Sequence, residues 1–401
     1  MGPANGDGRK SAVAALAVRV LADVSTLADS LVLLLHEANP GYRTIVVPAD
    51  DLWRSCHDNL VSVLELIAEC HNVDSEDPRY DAARATGQRR AEQRMPLDDV
   101  LRTFRLGGRL VWEALIEQAR VDRSVDAEGL LGVSTRVWEV LDAMSAQVAA
   151  AYHATSRDLV RADEQRRAAL WEGLLQGRAQ DMAFRYEASR IIGVPVDSSY
   201  VVVVADVVPD TDHAVLSWRR ALATADVESA WQARADTLVG LLAVGRPDVM
   251  APMIAVLREV LTVPAGLSLV VSGMAEVDVA YRQALLARRT RPGSGLAVLA
   301  EQLPEALLLS APSLAEQLVD RWLGGLLALP AAERRLLLGT LQIWVATGGS
   351  VSNTARAACC HRNTVINRLA RMQAITGHDL TAPSCQVELA LALKASVLLT
   401  R

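Results

Sequence analysis

The sequence predicts a multidomain, mostly α-helical protein in which two all-α regions flank a central α+β region. Three observations predict this class. Apolar residues recur at helical spacing through the first 160 residues, a β-branched apolar run appears at Tyr200–Val204, and helical spacing returns after Ala311. A chain of 401 residues is long enough for two or three domains, each with its own core.

The N-terminal region is predicted to consist of amphipathic helices with little else between them. Met1–Lys10 is polar and rich in glycine, which favours a disordered tail, and Asn72–Tyr80 is predicted to be an acidic loop. Arg157–Arg167 is dense in charge and is predicted to be a solvated connecting helix. The helices are predicted at Val18–His36, at Asp51–His71, from Asp81, from Pro96 and at Gly129–Ala151.

The central region is predicted to fold as a ferredoxin-like α+β layer. Its first six elements follow the order β-α-β-β-α-β, and Ala235-Asp236 is the expected turn of a hairpin. Strands are predicted at Tyr200–Val204, Ala230–Arg234, Thr237–Val244, Leu267–Ser272 and Leu296–Leu299, and helices at Val215–Ala225, Val249–Leu261 and Val277–Arg289.

Charge is distributed unevenly along the chain. The net charge of −6 argues against a protein that coats nucleic acid indiscriminately. From Ala311 to the end there are nine Arg/Lys and five Asp/Glu, a balance of +4, so the remainder carries −10. Val351–His378 contains four arginines and no acid, which is typical of local phosphate contact. Those arginines are Arg356, Arg362, Arg368 and Arg371.

Neither a signal peptide nor a membrane span is predicted. Met1–Lys10 lacks the basic start and apolar stretch of a signal peptide, and the longest uncharged run, Leu336–Ala355, is interrupted by polar residues. The five cysteines form no CxxC pair. Cys359-Cys360 is open to two interpretations, a redox sensor or small apolar residues in a reducing compartment. We therefore expect a soluble, cytoplasmic protein.

Ser350–Gly377 is predicted to form a helix-turn-helix. Gly348-Gly349 breaks the preceding helix, and Ser350 is a favourable N-cap for a short new one. A turn at Cys359–Arg362 follows. Asn363 or a neighbour then caps a longer helix that ends at Gly377.

The second helix of this unit has two different faces. Val365, Leu369 and Met372 form an inward apolar stripe. Thr364, Asn367 and Arg371 lie on the far side, with Arg368 beside them and Arg362 at the start. Arg pairs with guanine and Asn with adenine in the major groove, so this face suits DNA recognition. The alternative is an ordinary solvated face.

The same residues resemble the C-terminal helix-turn-helix of the PucR family of purine-catabolism and sugar-diacid regulators. The matching motifs are Asn353–Ala357, His361–Val365 and Arg368-Leu369, whereas Ile366 and Asn367 stand where the family usually has a basic residue and an aromatic one. The resemblance implies binding to double-stranded DNA. The residues that would contact DNA are His361, Arg362, Asn363, Thr364, Asn367, Arg368 and Arg371, with His361 serving as a phosphate contact or as a helix cap.

Two further resemblances cover the rest of the chain. Ala168–Pro304, with the typical stretch Ala280–Leu285, resembles the degenerate GGDEF-like domain of many PucR-type members. Pro96–Arg102 and Arg105–Gly108 resemble the helical N-terminal domain of RsbR-type stressosome proteins, which implies a sensory or interaction module. We expect a disordered tail at 1–10, the helical domain at 11–160, the GGDEF-like domain with its connecting helix at 161–310, and the DNA-binding domain at 311–401.

The sequence argues against an enzyme. Cyclase chemistry needs a glycine pair and clustered acids for Mg²⁺, but the hairpin at Ala233–Thr237 has no glycine pair and one carboxylate. Asp206 could be a remnant metal ligand or a strand-end cap, and Gly107-Gly108 favours close helix packing. No cofactor or metal site is predicted. A homodimer that binds paired DNA half-sites and responds to an unidentified small-molecule effector is expected. The alternative is a signalling scaffold with reduced DNA binding.

Overall fold

The computed structural model describes residues 4–39, 41–42, 47–69, 76–122, 127–291, 293–380 and 382–399. Contacts divide the chain into two units, Met1–Gln165 and Arg166–Arg401. The multidomain, mostly α-helical class is confirmed, with one five-stranded sheet among the described residues. The predicted domain boundaries stay predictions. No helix within the described ranges is long and apolar enough to span a membrane.

The N-terminal unit is entirely helical where it is described. Its core is formed by the apolar stripes of successive helices, including Leu31, Leu64 and Val111. A methyl group on Gly108 would overlap the side chain of Leu141, so this glycine permits close helix packing, as predicted. The helices are α1 (Ala4–Leu21), α2 (Val24–Ala38), α3 (Ala49–Ala68), α4 (Asp81–Glu92), α5 (Leu97–Asp122) and α6 (Ala127–Leu175), with a 3₁₀ turn at Pro78–Tyr80.

Two N-terminal predictions were wrong. The disordered tail predicted at Met1–Lys10 is helical from Ala4 onward. Leu16 and Val20 anchor this helix in the core, and each further residue toward the N-terminus adds one backbone hydrogen bond. Residues 1–3 lie outside the described ranges. The helix predicted at Val18–His36 is two helices, α1 and α2.

The break between α1 and α2 lies at Ala22-Asp23, which contains no Gly or Pro to mark it. Because the apolar spacing continues across it through Val20, Val24 and Ala28, the sequence predicts one helix there. Of the loop predicted at Asn72–Tyr80, residues 72–75 lie outside the description and Pro78–Tyr80 forms a 3₁₀ turn. The charged connecting segment at Arg157–Arg167 is helical and largely exposed, as predicted.

The central region is a sheet covered by helices on both faces. The strand order is β2-β3-β1-β4-β5, antiparallel except for the parallel pair β4 and β5. Alternate residues of β1 enter two different cores, which explains its continuous apolar sequence. The strands are β1 (Ser199–Asp206), β2 (Glu228–Ala233), β3 (Thr237–Val244), β4 (Pro264–Leu267) and β5 (Gly295–Val298), and the helices are α7 (Met182–Ile192), α8 (Thr211–Thr224), α9 (Met250–Val260) and α10 (Val277–Thr290).

The fourth strand begins earlier than predicted. β4 is Pro264–Leu267, whereas Leu267–Ser272 was expected. A side chain at Gly266 would overlap the backbone of α10, so this glycine sits where the helix approaches the sheet most closely. Beyond Leu267 the chain stays beside β1 through hydrogen bonds between Tyr200 and Val271, but it no longer pairs with β5.

The C-terminal region is all helical where described. Its core contains Trp322, Trp344 and Met372, and Trp344 Nε1 donates to the carbonyl of Leu380 at 3.4 Å. This core is the platform on which the helix-turn-helix lies. The helices are α11 (Leu303–Ser310), α12 (Pro312–Leu327), α13 (Ala331–Ala346), α14 (Val351–Ala357), α15 (Arg362–Thr376) and α16 (Pro383–Leu399).

Candidate nucleic-acid interface

Short helix α14 begins and α15 ends where the sequence predicts. Ser350 Oγ accepts a hydrogen bond from the backbone N–H of Asn353 at 3.4 Å and so caps α14. Gly377, with φ of 72°, ends α15 in the left-handed conformation that glycine adopts without a steric cost. Both ends of the helix-turn-helix are therefore encoded locally.

His361 is the N-cap of α15. Its Nδ1 accepts a hydrogen bond from the backbone N–H of Asn363 at 3.3 Å, so the neutral ring carries its proton on Nε2. Of the two roles considered for His361, the structure shows the capping one. The exposed ring leaves Nε2–H free to donate to a phosphate, so the two roles are compatible.

The apolar stripe of α15 anchors the helix from behind. Val365 and Met372 are fully buried and Leu369 nearly so, in one core with Trp344 and Leu389. Their burial fixes which side of α15 faces outward. Cys360 packs against the same core, which agrees with its interpretation as a small apolar residue.

The opposite face carries the polar residues predicted to contact DNA. His361, Arg362, Asn363, Asn367 and Arg371 are exposed. In the part of the chain that the structure describes, Arg362 makes no ion pair, so its guanidinium is available. Arg356 of α14 is exposed as well; it belongs to the basic segment but was not among the predicted contact residues.

Two arginines of this face are engaged with α13. Arg368 is half-buried and donates through Nη1 to Thr340 Oγ1 at 3.0 Å. Arg371 forms an ion pair with Glu333, Nε to Oε1, at 3.3 Å. The sequence does not predict these partners, because they lie 28 and 38 residues away with no spacing signal. Thr364 is also half-buried.

The turn between α14 and α15 contains a strained residue. Cys359 has φ of 48°, a left-handed conformation that costs a non-glycine residue roughly 1–2 kcal/mol. No sequence signal marks this conformation, since glycine is the usual sign of it. The side chain is exposed and free, so nothing in the described structure offsets the cost through packing.

We expect Cys359→Gly to stabilise the C-terminal region by about 0.5–1 kcal/mol, since glycine relieves the strain but loses more chain entropy on folding. Denaturant unfolding of the full chain, with hydrogen exchange to locate the change, measures it. Ala358→Gly is the matched control, because Ala358 has φ of −85° and gains nothing from glycine. Equal destabilisation by both substitutions would show that the turn at Cys359 is unstrained.

Two charged residues of the central region, Arg234 and Asp206, are each paired with an oppositely charged neighbour. Arg234, in the β2–β3 turn, forms an ion pair with Glu172 at 3.0 Å and lies over the ring of Tyr281. Asp206, considered as a remnant metal ligand, pairs with Arg288 of α10. Within the described ranges no three His, Cys, Asp or Glu residues cluster as metal ligands.

Three regions of the chain match models of known domain families. Residues 25–167 match the RsbT co-antagonist protein rsbRD N-terminal domain, residues 176–290 a GGDEF-like domain, and residues 337–395 the PucR C-terminal helix-turn-helix domain. No curated protein matches the chain significantly. All three family matches agree with the resemblances seen in the sequence.

One solved structure that resembles the chain is a regulator of polyketide synthase expression from Bifidobacterium adolescentis. It is 24% identical over 58% of this chain and 98% of that chain, with a TM-score of 0.29.

Proposed function

We propose that the chain, whose regions match an rsbRD N-terminal domain, a GGDEF-like domain and a PucR C-terminal helix-turn-helix domain, is a transcriptional regulator that reads the major groove of double-stranded DNA through α15. One observation carries this proposal. The face of α15 that bears Arg362, Asn363 and Asn367 is exposed, while Val365, Leu369 and Met372 hold the helix from behind.

Each residue of that face has a role that its chemistry suits. Arg362 and the Nε2–H of His361 lie at the start of α15, where phosphate contacts also benefit from the helix dipole. Asn367 and Arg371 face outward further along and suit adenine and guanine edges. Asn363 and Thr364 are proposed as supporting polar contacts, and Arg368 must leave Thr340 to reach DNA.

The regulator is proposed to act in the cytoplasm as a homodimer that responds to a small effector. One helix-turn-helix makes few base contacts, and a two-fold dimer would bind two half-sites one helical turn apart. The experiment is selection of genomic fragments with the purified full chain, followed by titration of a selected duplex at several salt concentrations. Saturable binding that weakens with salt supports the proposal, and sequence-independent binding or none contradicts it.

A signalling scaffold that has lost DNA contact is the second candidate. Ile366 favours it, because this residue is 47% exposed on the recognition face where the family usually has a basic residue. A scaffold would show no salt-dependent DNA binding in the same titration. A nucleotide-cyclising enzyme would instead show GTP turnover with Mg²⁺, which the paired residues of the β2–β3 turn do not favour.

Glu333→Gln is expected to raise DNA affinity about twofold to fivefold. The Glu333 carboxylate competes with DNA for the guanidinium of Arg371, and an exposed ion pair of this kind contributes roughly 0.2–1 kcal/mol. Fluorescence anisotropy at fixed salt measures the change. Glu316→Gln, on exposed α12 surface, removes the same charge without touching α15; an equal gain in that variant would assign the effect to net charge alone.

A further inference from the structure

The N-terminal unit contains a small cavity between its helices. It has a volume of about 30 Å³, roughly enough for two water-sized groups. Most of its wall is apolar, with Leu31, Leu60 and Phe104 among the lining residues. The remaining wall is polar and includes Arg90 and Asn59. A cavity of this kind suits a short molecule with one polar end.

Arg90 is fully buried and only partly satisfied. Its Nη1 donates to Asp51 Oδ2 at 2.8 Å and to Gln93 Oε1 at 2.7 Å. Its Nε and Nη2 atoms are buried and make no hydrogen bond of ordinary geometry in the described structure, although the guanidinium carbon lies 5.7 Å from the ring centroid of Tyr42, another lining residue, which also interacts with the charge of Arg90. Those two atoms form one edge of the guanidinium, the edge that binds a carboxylate through two parallel hydrogen bonds. Unpaired buried donors are costly, so a matching acceptor would stabilise this arrangement.

Positive charge exceeds negative charge around this edge of Arg90, which favours binding of an anion. Asp51 is shared between Arg90 and Arg89, whose Nε lies 3.5 Å from Asp51 Oδ1. Partial burial works against ionisation of Asp51, but hydrogen bonding and attraction to Arg90 outweigh it and lower its pKa. Burial raises the pKa of the Cys56 thiol to about 12, so this lining residue is neutral. No Asp or Glu is among the described lining residues.

A second polar atom in the wall lacks a partner. Asn59 Nδ2 donates to the carbonyl of Ser55 and to Thr86 Oγ1, both at 2.7 Å. Its Oδ1 atom is buried and accepts no hydrogen bond. Because Oδ1 is an acceptor, it would pair with a donor such as a water molecule beside the ligand and not with a carboxylate itself, which leaves the Arg90 edge as the group that selects an anion.

We infer that this cavity binds a carboxylate of one or two carbons, with the carboxylate on the Nε–Nη2 edge of Arg90 and any methyl group against the apolar wall. This site lies in the N-terminal unit and does not rest on DNA binding by α15. The expected effector would then be a small carboxylate, and its binding site would be this cavity of the N-terminal unit.

Thermal unfolding and calorimetry of the full chain, without DNA, test the inference. Formate and acetate are the probes, and formamide and acetamide are their neutral counterparts of nearly equal size, all at constant ionic strength. We expect saturable binding of a carboxylate that raises the unfolding temperature, at least tenfold tighter than its amide. Equal binding of acid and amide, or no saturable binding, would overturn the site.

Two arginines of the N-terminal unit supply the matched variants. Arg90→Lys keeps the charge but loses the two-point edge, and should weaken carboxylate binding at least tenfold. Arg109→Lys makes the same change on the exposed surface of α5, outside the cavity lining, and should leave binding unchanged. Should Arg90→Lys fail to fold, the acid and amide comparison on the unaltered chain still decides. Loss of DNA binding with carboxylate binding intact would contradict only the function proposed for α15.

Discussion

Arg362→Ala is expected to weaken specific DNA binding by about tenfold to hundredfold while leaving the unfolding temperature unchanged. Arg362 is the first residue of α15, is exposed, and makes no ion pair in the described structure. Removing it therefore deletes contacts to DNA without disturbing contacts within the protein. Fluorescence anisotropy with a selected duplex at fixed salt measures the decrease in affinity.

Two comparisons separate this decrease from a general charge effect. Arg321→Ala removes the same charge from exposed α12 surface and should change affinity only slightly. Arg371→Ala should weaken DNA binding less than Arg362→Ala, because Arg371 must break its ion pair with Glu333 before it can contact DNA, and this cost reduces its net contribution to affinity. If Arg362 binds a phosphate, its removal should also reduce the slope of log affinity against log salt by about 0.9. Unchanged affinity in both Arg362→Ala and Arg371→Ala would refute the roles assigned to this face.

The two faces of α15 could be predicted because they depend on positions within one helix. Val365, Leu369 and Met372 recur at helical spacing, and their burial confirms the stripe. The partners of Arg368 and Arg371 could not be predicted in this way, because Thr340 and Glu333 lie on another helix. A helical wheel places a side chain on a face, but tertiary packing decides whether that side chain is free.

Elsewhere in the chain, too, local features could be predicted from the sequence and features set by tertiary packing could not. The β2–β3 hairpin was predicted with its turn at Ala235-Asp236, since two short strands joined by two residues are a local signal. The start of β4 was missed, because it depends on how closely α10 approaches Gly266. Arg90, half of an ordinary Arg-Arg pair in the sequence, is fully buried because the neighbouring helices enclose it.

Met372→Ala is expected to destabilise the C-terminal region by about 2–5 kcal/mol, because it removes a fully buried side chain from the core behind α15. Hydrogen exchange along α15 in the full chain measures the reduced protection. Ile366→Ala, on the exposed face of the same helix, is the control and should change stability by less than about 0.5 kcal/mol.

Met372→Ala and Arg362→Ala alter the buried and the exposed face of the same helix. Both substitutions should reduce DNA affinity, but for different reasons: Met372→Ala by releasing the helix from its core, Arg362→Ala by removing a DNA-binding group from a helix that stays folded. A stabilising osmolyte should therefore restore binding to the Met372 variant and leave the Arg362 variant weak. If DNA affinity were restored in both variants, or in neither, the exposed face of α15 would not be specific to DNA contact and the buried face would not be specific to holding the helix in place.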